Sequence, residues 1–246
     1  MLTLLAAQYA WAGKGPKSID FQSTNGPVRV DYFAANLDDK RPAVVILSGA
    51  RGFQSKAYEQ MARHLNQRGI DAYLLHYLSE DDLSSILRLS VSGGAKDYYA
   101  KRMKQWNEDL RSVLTALRHF PQHQGQKVGL FGSSLGAMVL LQPNKRVHEV
   151  DAIAVVAGSP LSKKQLSTVT TDAPIYLAWG GSDRVFPLAS GKALRDKLLA
   201  HNKDVTFDVY PNEGHQFFVE EGNVNGDQAM KKIVEFFASN LTSSRP

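Results

Sequence analysis

The chain has 246 residues, no cysteine and a formal charge of +5. That length suits one α/β domain with a substantial core, and the missing thiols exclude disulfide scaffolds, thiolate metal sites and a cysteine nucleophile. With 43% apolar and 22% charged residues the composition is that of a globular protein, and its cations are scattered (Lys101-Arg102, Lys163-Lys164, Lys231-Lys232) rather than gathered into an aromatic-laced stripe, so no nucleic-acid partner is expected.

Residues 1–12 (MLTLLAAQYAWA) are apolar and end in Ala10-Trp11-Ala12, a cleavage-like A-x-A. The stretch lacks a basic start and falls short of the about 15–30 residues of a full export signal. It reads as a signal-peptide remnant or as an apolar arm reaching residue 18, and a periplasmic or secreted location is favoured over the cytoplasm. No other segment approaches the ~18 apolar residues of a membrane span, so stable membrane insertion is not expected.

Residues 19–246 read as a single domain. Two extended stretches, Ile19–Ser23 and Val28–Ala34, flank the turn Asn25-Gly26-Pro27 and form a hairpin-like start. Apolar strands and helices then alternate. Strand Ala43–Leu47 precedes helix Ala57–Gln67, and strand Asp71–Tyr77 precedes helix Lys101–Phe120. Strand Lys127–Phe131 precedes helix Leu135–Leu141, and strand Val150–Ala157 follows. Strand Pro174–Trp179 precedes helix Leu188–His201, and strand Val205–Tyr210 precedes helix Asp227–Ala238. Near-continuous apolar strands between helices indicate a three-layer α/β sandwich, a mostly parallel sheet of about eight strands covered on both faces. Ser79–Ala100 and Ser159–Thr171 are the places for a cap. Both are short, so a minimal cap over an open cleft is expected.

In such sheets ligands bind beyond the carboxyl ends of the strands, and this rule sorts the candidate residues. Gly132-Ser133-Ser134-Leu135-Gly136 is a G-x-S-x-G at a strand-to-helix turn, the setting in which a nucleophilic serine is held in a strained conformation between glycines. Ser134 is the candidate nucleophile; its neighbour Ser133 occupies the variable position. A serine hydroxyl needs a histidine to take its proton and a carboxylate to orient that histidine.

Of seven histidines, His64 and His201 fall on helices, while His119, His123 and His148 precede strands and so lie at the wrong edge. His76 ends a strand but comes before the serine. His215, in the loop after Val205–Tyr210, is the candidate base. Asp183, in the turn Gly180-Gly181-Ser182-Asp183 after Pro174–Trp179, is the candidate acid; Glu213 is the alternative, too near His215 in the chain to orient it easily.

An oxyanion needs donors. The amide of Leu135 opens a helix, and the amide of Ala50 lies in the loop Ser48-Gly49-Ala50-Arg51-Gly52-Phe53 after Ala43–Leu47. Arg51 and Arg184 flank the expected site as possible partners of a substrate carboxylate or as surface ion pairs. His76, Tyr77, Phe186 and Phe217 (with Phe218) are candidate pocket walls, with core packing as the alternative.

Taken together, SGARGF, GSSLG, GGSDRVFP and EGHQFF resemble the α/β-hydrolase superfamily, and within it the dienelactone hydrolase-like branch, from Ile19 onward. The name-giving enzymes of that branch use cysteine where this chain has Ser134, which moves the expectation toward carboxylesterase chemistry. Ser48 stands where many esterases carry histidine. The resemblance implies hydrolysis of small to medium carboxylic esters or lactones through an acyl-enzyme, with no metal or organic cofactor. The expected partner is a small-molecule ester, and the expected state a monomer or homodimer. Two rivals remain: a peptidase or amidase on the same fold, and a non-catalytic binding protein.

Overall fold

The computed structural model describes residues 16–36, 39–142, 149–160, 171–201 and 203–242. The apolar stretch 1–12, His148 and residues 161–170 of the second expected cap lie outside that set. Eight strands form one sheet: β1 (Lys17–Ser23), β2 (Gly26–Phe33), β3 (Ala43–Leu47), β4 (Asp71–Leu75), β5 (Val128–Ser133), β6 (Ala152–Val156), β7 (Ile175–Gly180) and β8 (Val205–Tyr210). Their spatial order is β1-β2-β4-β3-β5-β6-β7-β8. The first two are antiparallel to their neighbours, and every later pairing is parallel. Residues 17 and 18, expected in the N-terminal arm, pair within the sheet as part of β1.

The central strands are buried along their whole length, as strands covered on both faces must be. Alternate residues serve opposite layers. Val44, Ile46 and Phe131 pack with α1 (Ala57–Gln67) and α6 (Val224–Leu241) through Met61, Leu65, Ile233 and Phe237. Val45, Leu47, Leu130 and Leu177 face α3 (Ala95–Leu117), α4 (Leu135–Leu140) and α5 (Leu188–Leu199) through Trp106, Leu110, Val139 and Leu194. No helix among the described residues is long and apolar enough to cross a membrane.

One boundary needs correction. The short stretch from Ser79 to Ala100 is helical: it folds as α2 (Glu80–Ser92) and the first turns of α3, which begins six positions before the expected Lys101. The Ser79 hydroxyl accepts the Asp82 amide (3.1 Å), and the Asp82 carboxylate accepts the Ser79 amide (3.1 Å), a reciprocal cap that starts the helix. Gly93 and Gly94, both at positive φ, break it from α3. Asp82 then ties the helical pair together, accepting from Arg102 Nε (2.7 Å), the Tyr98 hydroxyl (2.7 Å) and the Trp106 indole (3.2 Å). Burial alone would raise this carboxyl. The Arg102, Tyr98 and Ser79 hydrogen bonds outweigh it and hold the pKa at about 2.

Candidate active site

Strand β5 delivers Ser134 to the carboxyl edge of the sheet in a backbone conformation few L-residues adopt, φ 51° and ψ −113°. Such a conformation costs on the order of 1–3 kcal/mol and persists only where its surroundings hold it. Here the Ser134 amide donates to Val156 O (2.9 Å) and its carbonyl accepts from the Met138 amide (3.1 Å). The flanking glycines are required by close approach. A Cβ on Gly132 would lie 2.7 Å from the Ala137 nitrogen, and one on Gly136 would lie 2.5 Å from Leu47 O.

The residues singled out by position meet there. Ser134 Oγ is 2.9 Å from His215 Nε2, and His215 Nδ1 is 2.9 Å from Asp183 Oδ2. The other oxygen of the buried Asp183 carboxylate accepts the amides of Val185 and Phe186, both at 2.8 Å, which fixes its direction. With an ionised carboxylate against it, Nδ1 is the protonated ring nitrogen, leaving Nε2 to accept from the serine hydroxyl. The two loops that carry acid and histidine are stitched together, the Gly181 amide donating to Tyr210 O (2.7 Å) and the Ser182 amide to Glu213 O (2.9 Å). Glu213, the alternative acid, turns elsewhere: it accepts from Asn223 (2.9 Å) and Asn225 (2.7 Å) and pins its loop to the start of α6.

The loop after β3 lies directly against the serine, since a Cβ on Gly49 would stand 3.4 Å from Ser134 Cβ. Its Gly49 amide is already spent on the hydroxyl of Tyr58 (2.9 Å), which also shares a hydrogen bond with Ser133 Oγ (2.7 Å). That bond occupies the buried Ser133 and leaves Ser134 as the serine facing His215. The amides of Leu135 and Ala50 have no hydrogen-bond acceptor among the described residues and border the cleft.

Tyr58 was not anticipated, because its partners come together only in the folded chain. Burial raises the pKa of its hydroxyl, against the opposing pull of Ser133 and Gly49, so the group stays neutral.

The cleft over Ser134 has a volume of about 1490 Å³. Arg51 and Phe186 line it, and the Phe186 ring lies 5.6 Å from that of His215. Four other wall candidates are placed elsewhere. Tyr77 is buried against Trp106 and donates to Ser48 O (2.7 Å), so it tethers the β3 loop from within the core. Phe217 is buried against Tyr210. His76 pairs with Asp31 (2.7 Å) beside a separate cavity of about 190 Å³. Arg184 is exposed and does not line the cleft. Sequence reasoning also missed Tyr99 and Lys96, which α3 brings to the cleft wall, and Met138 of α4. The Ser-x-x-Asp cap before α2 was the signal that could have found the first two.

Comparison with known proteins agrees with this architecture. The model of the dienelactone hydrolase family matches residues 30–241. Esterase YpfH of Escherichia coli (strain K12) is 27% identical over 129 residues, 51% of this chain and 54% of that protein. The match thus spans about half the length of the curated relative. Among solved structures, a dienelactone hydrolase from Anabaena variabilis superposes with a TM-score of 0.70 at 21% identity, covering 92% of this chain and 99% of that one. A dienelactone hydrolase-like promiscuous phosphotriesterase from metagenomic libraries gives 0.73 at 16% identity, covering 92% and 98%. The acylaminoacyl peptidase of Pyrococcus horikoshii gives 0.71 at 15% identity, covering 94% of this chain but 42% of the peptidase. At these identities the structural likenesses establish the fold.

Proposed function

Because this chain belongs to the dienelactone hydrolase family, we propose that it is a serine hydrolase that cleaves carboxylic esters or lactones through an acyl-enzyme. The observation that carries the reading is the continuous relay from Asp183 through His215 to Ser134, both links at 2.9 Å, at the floor of an open cleft. Ser134 Oγ attacks the carbonyl carbon while His215 Nε2 takes its proton. Asp183 stabilises the imidazolium that results. The amides of Leu135 and Ala50 receive the charge that develops on the carbonyl oxygen. Collapse of the tetrahedral intermediate breaks the bond to the leaving alcohol, which takes the proton from Nε2. A water molecule then attacks the acyl-serine with His215 again as base, releasing the acid and restoring Ser134.

Amide cleavage is the second reading, favoured by the likeness in fold to the acylaminoacyl peptidase. Hydrolysis of p-nitrophenyl acetate and butyrate, beside the matching p-nitroanilides, tests both. The expected result is ester turnover that exceeds anilide turnover and falls by about 10⁴-fold or more in Ser134→Ala. Turnover surviving in that variant would remove the nucleophile assignment. Anilide turnover matching ester turnover would favour the peptidase.

A further inference from the structure

The plane of the sheet divides the cleft into two unlike halves. On the side of α3, α4 and α5 the walls include Tyr99, Met138, Phe186, Ala189 and Ala193. At the rim of that half Val185 is 62% exposed and Ser90 of α2 borders the cleft, while Leu87 and Val91 of the same helix are exposed. Polar groups, Ser90, Lys96 and Ser190 among them, also border this half. On the side of α1 and α6 the upper walls are Gln54, Lys56, Gln60, Glu220, Glu221 and Asp227, above a buried floor of Tyr58 and Phe218.

The reaction geometry assigns the halves to the two parts of an ester. A leaving alcohol must come within hydrogen-bond reach of His215 Nε2 to take its proton. His215 sits on the segment that continues through Gln216 to Glu220 and Glu221, so the alcohol departs over polar walls. An acyl chain bonded to Ser134 and directed away from the histidine would pass Leu135 and Met138 toward Tyr99, all of which line the cleft. The volume of about 1490 Å³ exceeds the ~300–1,000 Å³ of common ligand sites and leaves room for far more than an acetyl group.

We infer that the site takes amphiphilic esters, with an apolar acyl chain of medium length along α3 and α5 and a polar, glycerol-like alcohol over the loop that leads into α6. The inference rests on the serine hydrolase reading. It narrows the expected small to medium substrates to those with an apolar acid part.

The test is a p-nitrophenyl ester series from acetate to octanoate on the full chain, with Ala193→Trp and Ala189→Trp as two separate surface variants that fill the apolar half. Burying methylenes should raise kcat/KM from acetate to octanoate by about tenfold or more. Either folded tryptophan variant should lower the octanoate-to-acetate ratio by about tenfold. With natural leaving groups, 1-monooctanoylglycerol should be cleaved faster than ethyl octanoate.

A flat or falling chain-length profile with Ser134-dependent turnover intact would overturn the inference and leave the serine hydrolase reading standing. So would a ratio that neither folded variant moves, or a preference for ethyl octanoate. Loss of every Ser134-dependent hydrolysis in the folded parent would remove both.

Discussion

The two edges of the sheet carry the same kinds of side chain in unlike settings. At the amino edge, Asp71 accepts from the Tyr32 hydroxyl, the Ala35 amide and Arg41 Nε, each at 2.7 Å. Nearby, His123 donates from Nδ1 to Arg41 O (2.8 Å) and accepts at Nε2 from the Tyr73 hydroxyl (2.8 Å). Asp71 and His123 are fully buried. At the carboxyl edge, Asp183 and His215 are also joined, but the relay ends on a serine hydroxyl that faces a cleft, with two backbone amides beside it that find no acceptor among the described residues. A histidine, a carboxylate and a hydroxyl in contact do not by themselves make chemistry. What separates the edges is access, unspent donors and the strained backbone of Ser134.

Neutralising each carboxylate in turn should separate the two edges most strongly. Asp183→Asn should lower kcat by about 10³–10⁴-fold, because the histidine loses the partner that sets its tautomer, while the protein stays folded. Asp71→Asn should do the reverse, costing about 3 kcal/mol of stability by leaving Arg41 under-paired and leaving kcat within about twofold. Steady-state kinetics and urea unfolding on both variants decide it; a catalytic loss in Asp71→Asn would erase the distinction.

A smaller effect probes how the carboxyl edge is held. In Tyr58→Phe the Gly49 amide and Ser133 Oγ lose their shared hydroxyl, so the loop that presents the Ala50 amide loosens. We expect kcat to fall about tenfold with KM nearly unmoved, and stability to fall by about 1 kcal/mol. A change confined to KM would argue that Tyr58 only walls the cleft.

The smallest expected effect belongs to the amino edge. Burial pushes His123 below its ordinary pKa, only partly offset by the Arg41 carbonyl and Asp71. The unfolded chain therefore takes up this proton near pH 6.5, and the folded chain does so only at lower pH. Stability should decline as pH falls through 6.5 toward the folded value, because the unfolded chain binds this proton first. Thermal midpoints between pH 7.5 and 5 should show a shallower decline in His123→Gln. An equal slope in both proteins would assign the pH dependence to other groups.

Much of the carboxyl edge was legible in the sequence because its requirements are local. The glycines around Ser134 answer to contacts with the next turn and with Leu47 O, and the order of strands places Asp183 and His215. What was not legible depends on distant pairings. Tyr58 meets Ser133 across 75 positions, and Tyr77 reaches back to Ser48 instead of toward the cleft. Helix α2 was missed because only Asp82 and Ile86 of its residues are buried, which leaves little apolar periodicity to read, although its Ser79–Asp82 cap was in plain view.

Whether Ser134 carries the acyl group is decided by acid-quenched mass spectrometry of the protein mixed with p-nitrophenyl acetate. An early release of p-nitrophenol equal to the enzyme present is expected, with one acetyl group on the peptide that contains Ser134, both absent from Ser134→Ala. Steady ester turnover with the acyl group on another residue, or retained by Ser134→Ala, would contradict it.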